Sequence, residues 1–318
     1  MLGDIPHVPE VATGRPLSSA GRGDGRPELP ARRHGPRVGA ITTGSTARAR
    51  PHGEVTGTVG EGRRPLIVGA GLKMYLGHRE TERWLDEVAL LAGRHPGLRR
   101  GVVELFVLPT FPALPHAVRT LSPVGVAVGA QDLFWEDRGP YTGEVSGAEL
   151  AELGCRFVEV GHLERRRHLG ETDQVVAAKT AAAFRNGLVP VICIGESHPV
   201  APGDAAAECT RQLDAVLRDS RRDGTVRPAL VAYEPHWAIG AAAAADAGHI
   251  RTVCTALRSA LQDEAAMAGS RVIYGGSAGT GLLTELEGAV DGLFLGRASH
   301  DPAVLGEVLE EATALAAR

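Results

Sequence analysis

From residue 66 onward, eight short apolar runs alternate with stretches of helical pattern, and this alternation constrains the fold more than any other feature of the chain. The runs are "LIVGAGL", "VELFVLP", "GVAVGAQ", "FVEVGH", "VPVICIG", "ALVAYEP", "RVIYGGS" and "GLFLGRAS". Short runs rich in β-branched residues, bounded by Gly, Pro or polar residues, predict strands buried on both faces, as in a parallel sheet covered by helices. Between them lie amphipathic segments such as "ETERWLDEVALLAG" and "ETDQVVAAKTAAAFRNG", the second ending on Gly187 as a C-cap. In "SGAELAEL", Ser146 and Glu149 stand at capping-box spacing and start another helix. Eight strand–helix units filling about 250 residues predict an α/β fold of the (β/α)8 barrel type. Alternation alone also permits a doubly wound sheet, but no Gly-rich dinucleotide fingerprint is present, which favours the barrel.

The segment before the first run is different in kind. Residues 1–64 hold ten Arg and no Lys against six Asp or Glu, lack any aromatic residue, and are crowded with Gly, Pro, Ser and Thr. Such a chain buries too little apolar surface to offset its ordering entropy, so 1–64 is predicted to be a disordered extension and 65–318 the barrel domain. The extension reads either as a passive tail or as a basic tether for an acidic partner.

For the whole chain, 43% of residues are hydrophobic and the formal net charge is −4, which supplies a core and argues against nucleic acid as a partner. Four scattered cysteines without a CxxC suggest neither a zinc site nor a disulfide framework, and a reducing cytoplasm is the expected compartment. No apolar stretch is long enough to span a bilayer and no signal peptide is evident, so no membrane association is expected.

In a barrel, chemistry belongs where strands end. Polar residues collect there: Lys73, Gln131, His162, Glu196, Glu234 and Ser277 end the first, third, fourth, fifth, sixth and seventh runs. A carboxylate and an imidazole on strands at one end of a barrel can face a small substrate from two sides. The carboxylate, Glu234, then takes a proton from carbon while the imidazole, His162, polarises the adjacent oxygen. Alone, either residue would read as a buried hydrogen-bonded group; with Lys73 at a third strand end the set reads as catalytic. Gly275 and Gly276 in "YGGS" and Gly296 in "LGRAS" follow the last two strands, where barrels often bind phosphate on backbone N–H groups. They are equally compatible with plain turns. "EPHWAIGAAAAAD" has the build of a lid: Pro235 stiffens its start, Trp237 and Ile239 give the tip an apolar body, and Gly240 frees it.

With these residues in hand, "TGEVSGAELAELG", "GHLERR", "CIGE", "AYEPHWAIG" and "IYGGS" together resemble the triosephosphate isomerase family in order and spacing, from about residue 66 to the end. The resemblance implies a TIM barrel and a cofactor-independent isomerase of small sugar phosphates, with no metal. It assigns Glu234 as the proton shuttle, His162 as the group moving protons on substrate oxygens, and Lys73 as the cation beside the enediolate. A Glu base, a neutral His and a closing loop are the known pattern of that family, so these roles come with the resemblance and not from spacing. It further implies supporting acids at Glu164 and Glu196, Cys193 on a strand near the site, and Tyr274 as the latch of the lid formed by Pro235, His236, Trp237, Ala238 and Ile239. Phosphate would meet Gly240, Gly276, Ser277 and Gly296. Family members are commonly homodimers whose loop after the third strand crosses to the partner, which makes Gln131 and Thr142 the expected dimer contacts.

The departures are informative. Where the family has Asn two residues before the lysine, this chain has Gly71; the serine after the catalytic histidine is Leu163; the valine after the lid's proline is His236; a later lid glycine is Ala242; and the second glycine of the last phosphate loop is Arg297. Loss of the Asn side chain removes a donor and opens space. Arg297 either clamps the phosphate in bidentate fashion or points outward to a structural acid. "GLKMY" and "FLGR…HDP" are similar to branches of the family that isomerise erythrulose phosphates. The expected function is therefore aldose–ketose or ketose–ketose isomerisation of a four-carbon sugar phosphate. Triosephosphate isomerase proper and a non-catalytic phosphosugar-binding protein are the alternatives.

Overall fold

All eight runs are strands in the computed structural model, which describes residues 64–318: β1 Leu66–Gly71, β2 Val103–Leu108, β3 Ala127–Ala130, β4 Phe157–Val160, β5 Val189–Ile194, β6 Leu230–Tyr233, β7 Arg271–Tyr274 and β8 Gly292–Leu295. They pair in chain order and β8 returns to β1, with Ile67 opposite Gly292, so the sheet is a closed parallel barrel and the doubly wound alternative is excluded. The predicted extension, Arg64 apart, lies outside the described residues.

Helices form where the pattern and caps predict them. His78–Arg94 buries Thr81, Trp84, Leu85, Val88 and Ala92, a stripe of helical period laid against the sheet. The Ser146 hydroxyl accepts the Glu149 N–H at 3.1 Å to start Gly147–Leu153. Thr172 caps Asp173–Arg185 in the same way, and the chain leaves that helix through Gly187 at φ +72°.

Two apolar layers result. One fills the space between sheet and helices; the other fills the barrel with Ile67, Phe106, Phe157, Val191, Leu230, Ile273 and Phe294 among others. Gly69 makes the second possible, because a Cβ there would stand 2.2 Å from the Phe106 ring and 2.8 Å from that of Phe294. The Phe106 ring packs on Phe157 at 4.7 Å and on Phe294 at 5.7 Å, giving the barrel an aromatic floor below its C-terminal mouth.

A buried ionic cluster braces the mouth. Lys179 Nζ lies 2.6 Å from Asp132 Oδ1 and 2.5 Å from Glu171 Oε1, and Arg165 bonds the same two carboxylates at 2.7 and 2.6 Å. It ties the loop after β3 to the segment that follows His162. Among the described residues, no helix is long and apolar enough to cross a membrane.

Candidate active site

A cavity of about 820 Å³ opens at the C-terminal ends of the strands, lined by Gly71, Lys73, Glu159, His162, Glu234 and Ser277 among others. Of the polar strand-end residues, Lys73, Gln131, His162, Glu234 and Ser277 are thus brought together around one space, while Glu196 is not among its lining residues.

Glu234 follows β6 and His162 follows β4, both buried. His162 Nε2 stands 3.6 Å from Glu234 Oε2, too far for a hydrogen bond, and that carboxylate oxygen has no other partner among the described residues. Both groups therefore remain free to engage an atom placed between them. His162 is the N-cap of Leu163–Leu169, and its Nδ1 accepts the Glu164 backbone N–H at 3.2 Å. An accepting Nδ1 leaves the proton of the neutral ring on Nε2, the nitrogen that faces Glu234. Burial, reinforced by the Lys73 charge, pushes the His162 pKa down to about 4, so the ring is neutral at physiological pH. Burial, with the charge of Glu159 next, raises Glu234 well above the carboxylate range, which makes it a stronger base than an exposed glutamate. Gly275 is required beside it: a Cβ there would lie 2.4 Å from Glu234 Oε1. Leu163 lends Glu234 no hydrogen-bond donor, having an aliphatic side chain.

Lys73 adopts φ +51°, a left-handed conformation costly for a non-glycine residue. The Gln131 amide holds that strained peptide by donating to the carbonyls of Lys73 and Leu108, each at 2.9 Å. The ammonium meets Glu164 Oε1 at 2.5 Å. Burial opposes its charge, but the Glu164 hydrogen bond and the carboxylates of Glu164, Glu234 and Glu159 keep its pKa raised. Burial likewise works to raise Glu164, and the Lys73 bond holds it low. A Cβ on Gly71 would approach the Phe294 ring to 3.1 Å, so the space left by the missing side chain is partly occupied by that ring.

One acid in the cavity is not among the site residues expected from the sequence. Glu159, in the middle of β4, points into the barrel and is buried, with Cys193 Sγ 3.5 Å from its Oε1. Burial raises its pKa to about 7. A sequence signal for it exists: it is a single acid inside "FVEVGH", a run otherwise apolar up to its end.

The segment expected to be a lid is held down at several points. Trp237 Nε1 donates to Glu196 Oε1 at 2.8 Å, and Glu196 also meets Tyr233 and His249, so this acid is the anchor of the lid's first half. His236 hangs on the same acid's backbone, its N–H donating to the Glu196 carbonyl at 3.0 Å. Burial, with Arg166 nearby, lowers the His236 pKa to about 4. The Ser277 hydroxyl lies 2.7 Å from the Ala238 carbonyl and 3.1 Å from that of Ala241. At the return end of this segment the Tyr274 hydroxyl, the expected latch, accepts the Ala245 N–H at 3.1 Å. Gly276 leaves room for that hydroxyl, since a Cβ there would stand 2.5 Å from it.

Gly240, Ser277, Gly296 and Arg297 line one end of the cavity. Arg297 donates to the Gly240 carbonyl at 3.3 Å and forms no ion pair among the described residues. It reaches the lid rather than an outward acid. Thr142 is exposed in the loop after β3, where Phe134 stacks on Trp135 and packs against Tyr141. The rim of the cavity carries exposed Met74, Tyr75 and Leu169.

Known proteins resemble this chain over most of its length. The family model described as triosephosphate isomerase matches residues 66–312. The chain is 47% identical over 255 residues to L-erythrulose-1-phosphate isomerase of Pectobacterium atrosepticum, covering 80% of this chain and 98% of that protein. It is 42% identical over 250 residues to triosephosphate isomerase of Moorella thermoacetica, covering 75% and 95%. To triosephosphate isomerase of Mycolicibacterium vanbaalenii it is 40% identical over 264 residues, covering 80% and 97%.

Proposed function

Because this chain belongs to the triosephosphate isomerase family and is a sugar-phosphate isomerase, we propose that its substrate is a four-carbon ketose phosphate, L-erythrulose 1-phosphate, and that Glu234, His162 and Lys73 carry the reaction. The observation that carries the chemistry is the apposition of an unpartnered Glu234 oxygen and a neutral His162 in one cavity with Lys73. The choice of substrate rests on the similarity to the erythrulose-phosphate enzyme over nearly its whole length.

The substrate's own structure fixes the direction of the step. In a 2-ketose 1-phosphate the C1 oxygen is esterified, so C1 cannot become a carbonyl without losing phosphate. The carbonyl therefore moves from C2 to C3. Glu234 takes the C3 proton, the C3–H electron pair becomes the C2=C3 bond, and the C2 oxygen gains negative charge. That oxyanion is met by the His162 Nε2–H and the Lys73 ammonium. His162 moves a proton from O3 to O2, the C3 carbonyl forms, and Glu234 returns its proton to C2. The two ends of the enediol exchange roles, and neither a metal nor an organic cofactor is consumed.

The lid contacts exclude water from the enediolate. Gly240, Ser277, Gly276 and the Gly296–Arg297 turn hold the phosphate, and Arg297 joins that end to the lid. A homodimer fits the exposed Met74, Tyr75 and Leu169, a rim suited to burial beneath the Thr142 loop of a second copy. Four free, buried cysteines suit a reducing cytoplasm.

Triosephosphate isomerase activity is the second reading, supported by the relatives of that name. The intact Glu234–His162–Lys73 set speaks against a non-catalytic binder. Purified protein assayed with L-erythrulose 1-phosphate and with dihydroxyacetone phosphate decides between them. The four-carbon reading expects the larger kcat/KM for the erythrulose ester; higher triose turnover overturns it.

A further inference from the structure

We propose that Glu159 is a specificity-determining residue: its carboxylate accepts the terminal hydroxyl of the four-carbon substrate, on the carbon beyond the reacting pair, and so selects a tetrulose over a triose phosphate. The inference deepens the four-carbon reading and rests on it.

The first ground is cost. Glu159 stands inside the barrel among Phe157, Val191, Cys193 and Leu230, where the fold calls for apolar side chains, and it is 7% exposed. A carboxyl placed there loses hydration that only a good partner restores. None is present among the described residues. Lys73, the nearby cation, is engaged by Glu164 at 2.5 Å. The contact Glu159 does make is with the Cys193 thiol at 3.5 Å, a weak donor. The barrel gains nothing from an acid at this position, so its use lies with what enters the cavity.

The second ground is placement. The phosphate end proposed above is built from the loops after β6, β7 and β8, and the reacting atoms lie between Glu234 and His162. Glu159 lines the same cavity three residues before His162 on β4, one turn of the pleat deeper into the barrel. A triose phosphate ends at the reacting carbon. A tetrulose 1-phosphate continues by one hydroxymethyl group, away from the phosphate and toward this depth. Across the ring on β1, Gly71 contributes no side chain, and the Phe294 ring supplies an apolar wall beside it. The added carbon thus meets an apolar surface on one side and a carboxylate acceptor for its hydroxyl on the other.

A different role for Glu159 is to act at a distance, its charge raising the basicity of Glu234. That role would affect every substrate alike, whereas a hydroxyl contact affects only substrates that carry the hydroxyl.

The test compares kcat/KM of wild type, Glu159→Leu and Glu159→Asp on three compounds: L-erythrulose 1-phosphate, its 4-deoxy analogue, and dihydroxyacetone phosphate. Sites that hydrogen-bond a substrate hydroxyl discriminate strongly against its absence, so the Leu variant's loss on L-erythrulose 1-phosphate should exceed its loss on the other two by about 100-fold. Glu159→Asp keeps the charge near Glu234 but withdraws the acceptor by one methylene, and it should shift the same ratio in the same direction. It carries the test if the Leu variant does not fold. Equal losses on all three compounds, or no loss, overturn the Glu159 assignment while leaving the four-carbon reading in place. A wild-type enzyme that turns over only the triose ester overturns both.

Discussion

Replacing Gly275 by alanine probes the proposed base without touching it. The added Cβ would lie 2.4 Å from Glu234 Oε1, 2.8 Å from Cγ and 3.0 Å from Cδ, whereas ordinary contact begins near 3.4 Å. The carboxylate must retreat by about 1 Å, a displacement that costs on the order of 100-fold when it separates a catalytic group from its target. That loss corresponds to about 2.7 kcal/mol of barrier. Gly275 is not among the residues with positive φ, so alanine brings no backbone strain of its own. The displaced group is the end of a side chain, and the fold should keep its stability to within about 1 kcal/mol. Steady-state kinetics on L-erythrulose 1-phosphate should show kcat reduced about 100-fold with KM changed less than about threefold, because the three atoms nearest the added methyl all belong to Glu234. A variant that melts with wild type and retains kcat to within about threefold would remove Glu234 from the role of base.

Three further outcomes follow from the contacts. Tyr274→Phe removes the acceptor of the Ala245 N–H, a bond worth about 1 kcal/mol, and should lower kcat/KM about fivefold by weakening the closed lid; unchanged kinetics would rule out the latch. Lys179→Ala leaves two buried carboxylates, Asp132 and Glu171, with Arg165 as their one remaining cation and should lower unfolding free energy by about 3 kcal/mol, the lower end of the cost of an unpaired buried charge, in urea titrations, whereas a loss under about 1 kcal/mol would show the Lys179 contacts to be dispensable. Glu159 contributes a pH dependence of defined sign. Its pKa is raised from 4.5 to about 7 in the folded protein, so its favourable contribution is complete below about 4.5 and is lost as pH rises through 7. Glu159→Leu should therefore gain stability over wild type as pH rises, by up to about 3 kcal/mol between pH 4.5 and 8. A gap independent of pH, measured by thermal denaturation, would speak against the raised pKa.

The barrel is legible in the sequence because each strand is buried on both faces and so appears as a short unbroken apolar run, while the helices between carry a different period. Glu234, His162 and Lys73 are legible for a related reason: a polar residue closing an apolar strand stands at the mouth of any barrel those strands build. Glu159 escapes that reasoning because it lies within a strand, where one polar residue in a run reads as an outward-facing position. Only the register of β4 shows that it faces inward with Phe157 and Cys193. The Lys179–Asp132 pair joins residues 47 apart in sequence, a contact that no local pattern specifies. In the sequence the direction of Arg297 is open between phosphate and an outward acid, and its bond to Gly240 depends on how the lid folds back over the last turn. The proton position on His162 likewise depends on one backbone N–H, that of Glu164, which exists only once the short helix after β4 has formed.

Whether Glu234 carries a proton between adjacent carbons of a four-carbon ketose phosphate can be read from the carbons themselves. Wild type and Glu234→Gln would be incubated with L-erythrulose 1-phosphate in deuterium oxide and the carbons followed by NMR. Wild type should move the carbonyl from C2 to C3 with deuterium entering at the original C2, beside the phosphate-bearing carbon, and Glu234→Gln should do neither. Isomerisation by wild type without deuterium uptake, together with turnover by Glu234→Gln at the wild-type rate, is incompatible with Glu234 as the proton carrier.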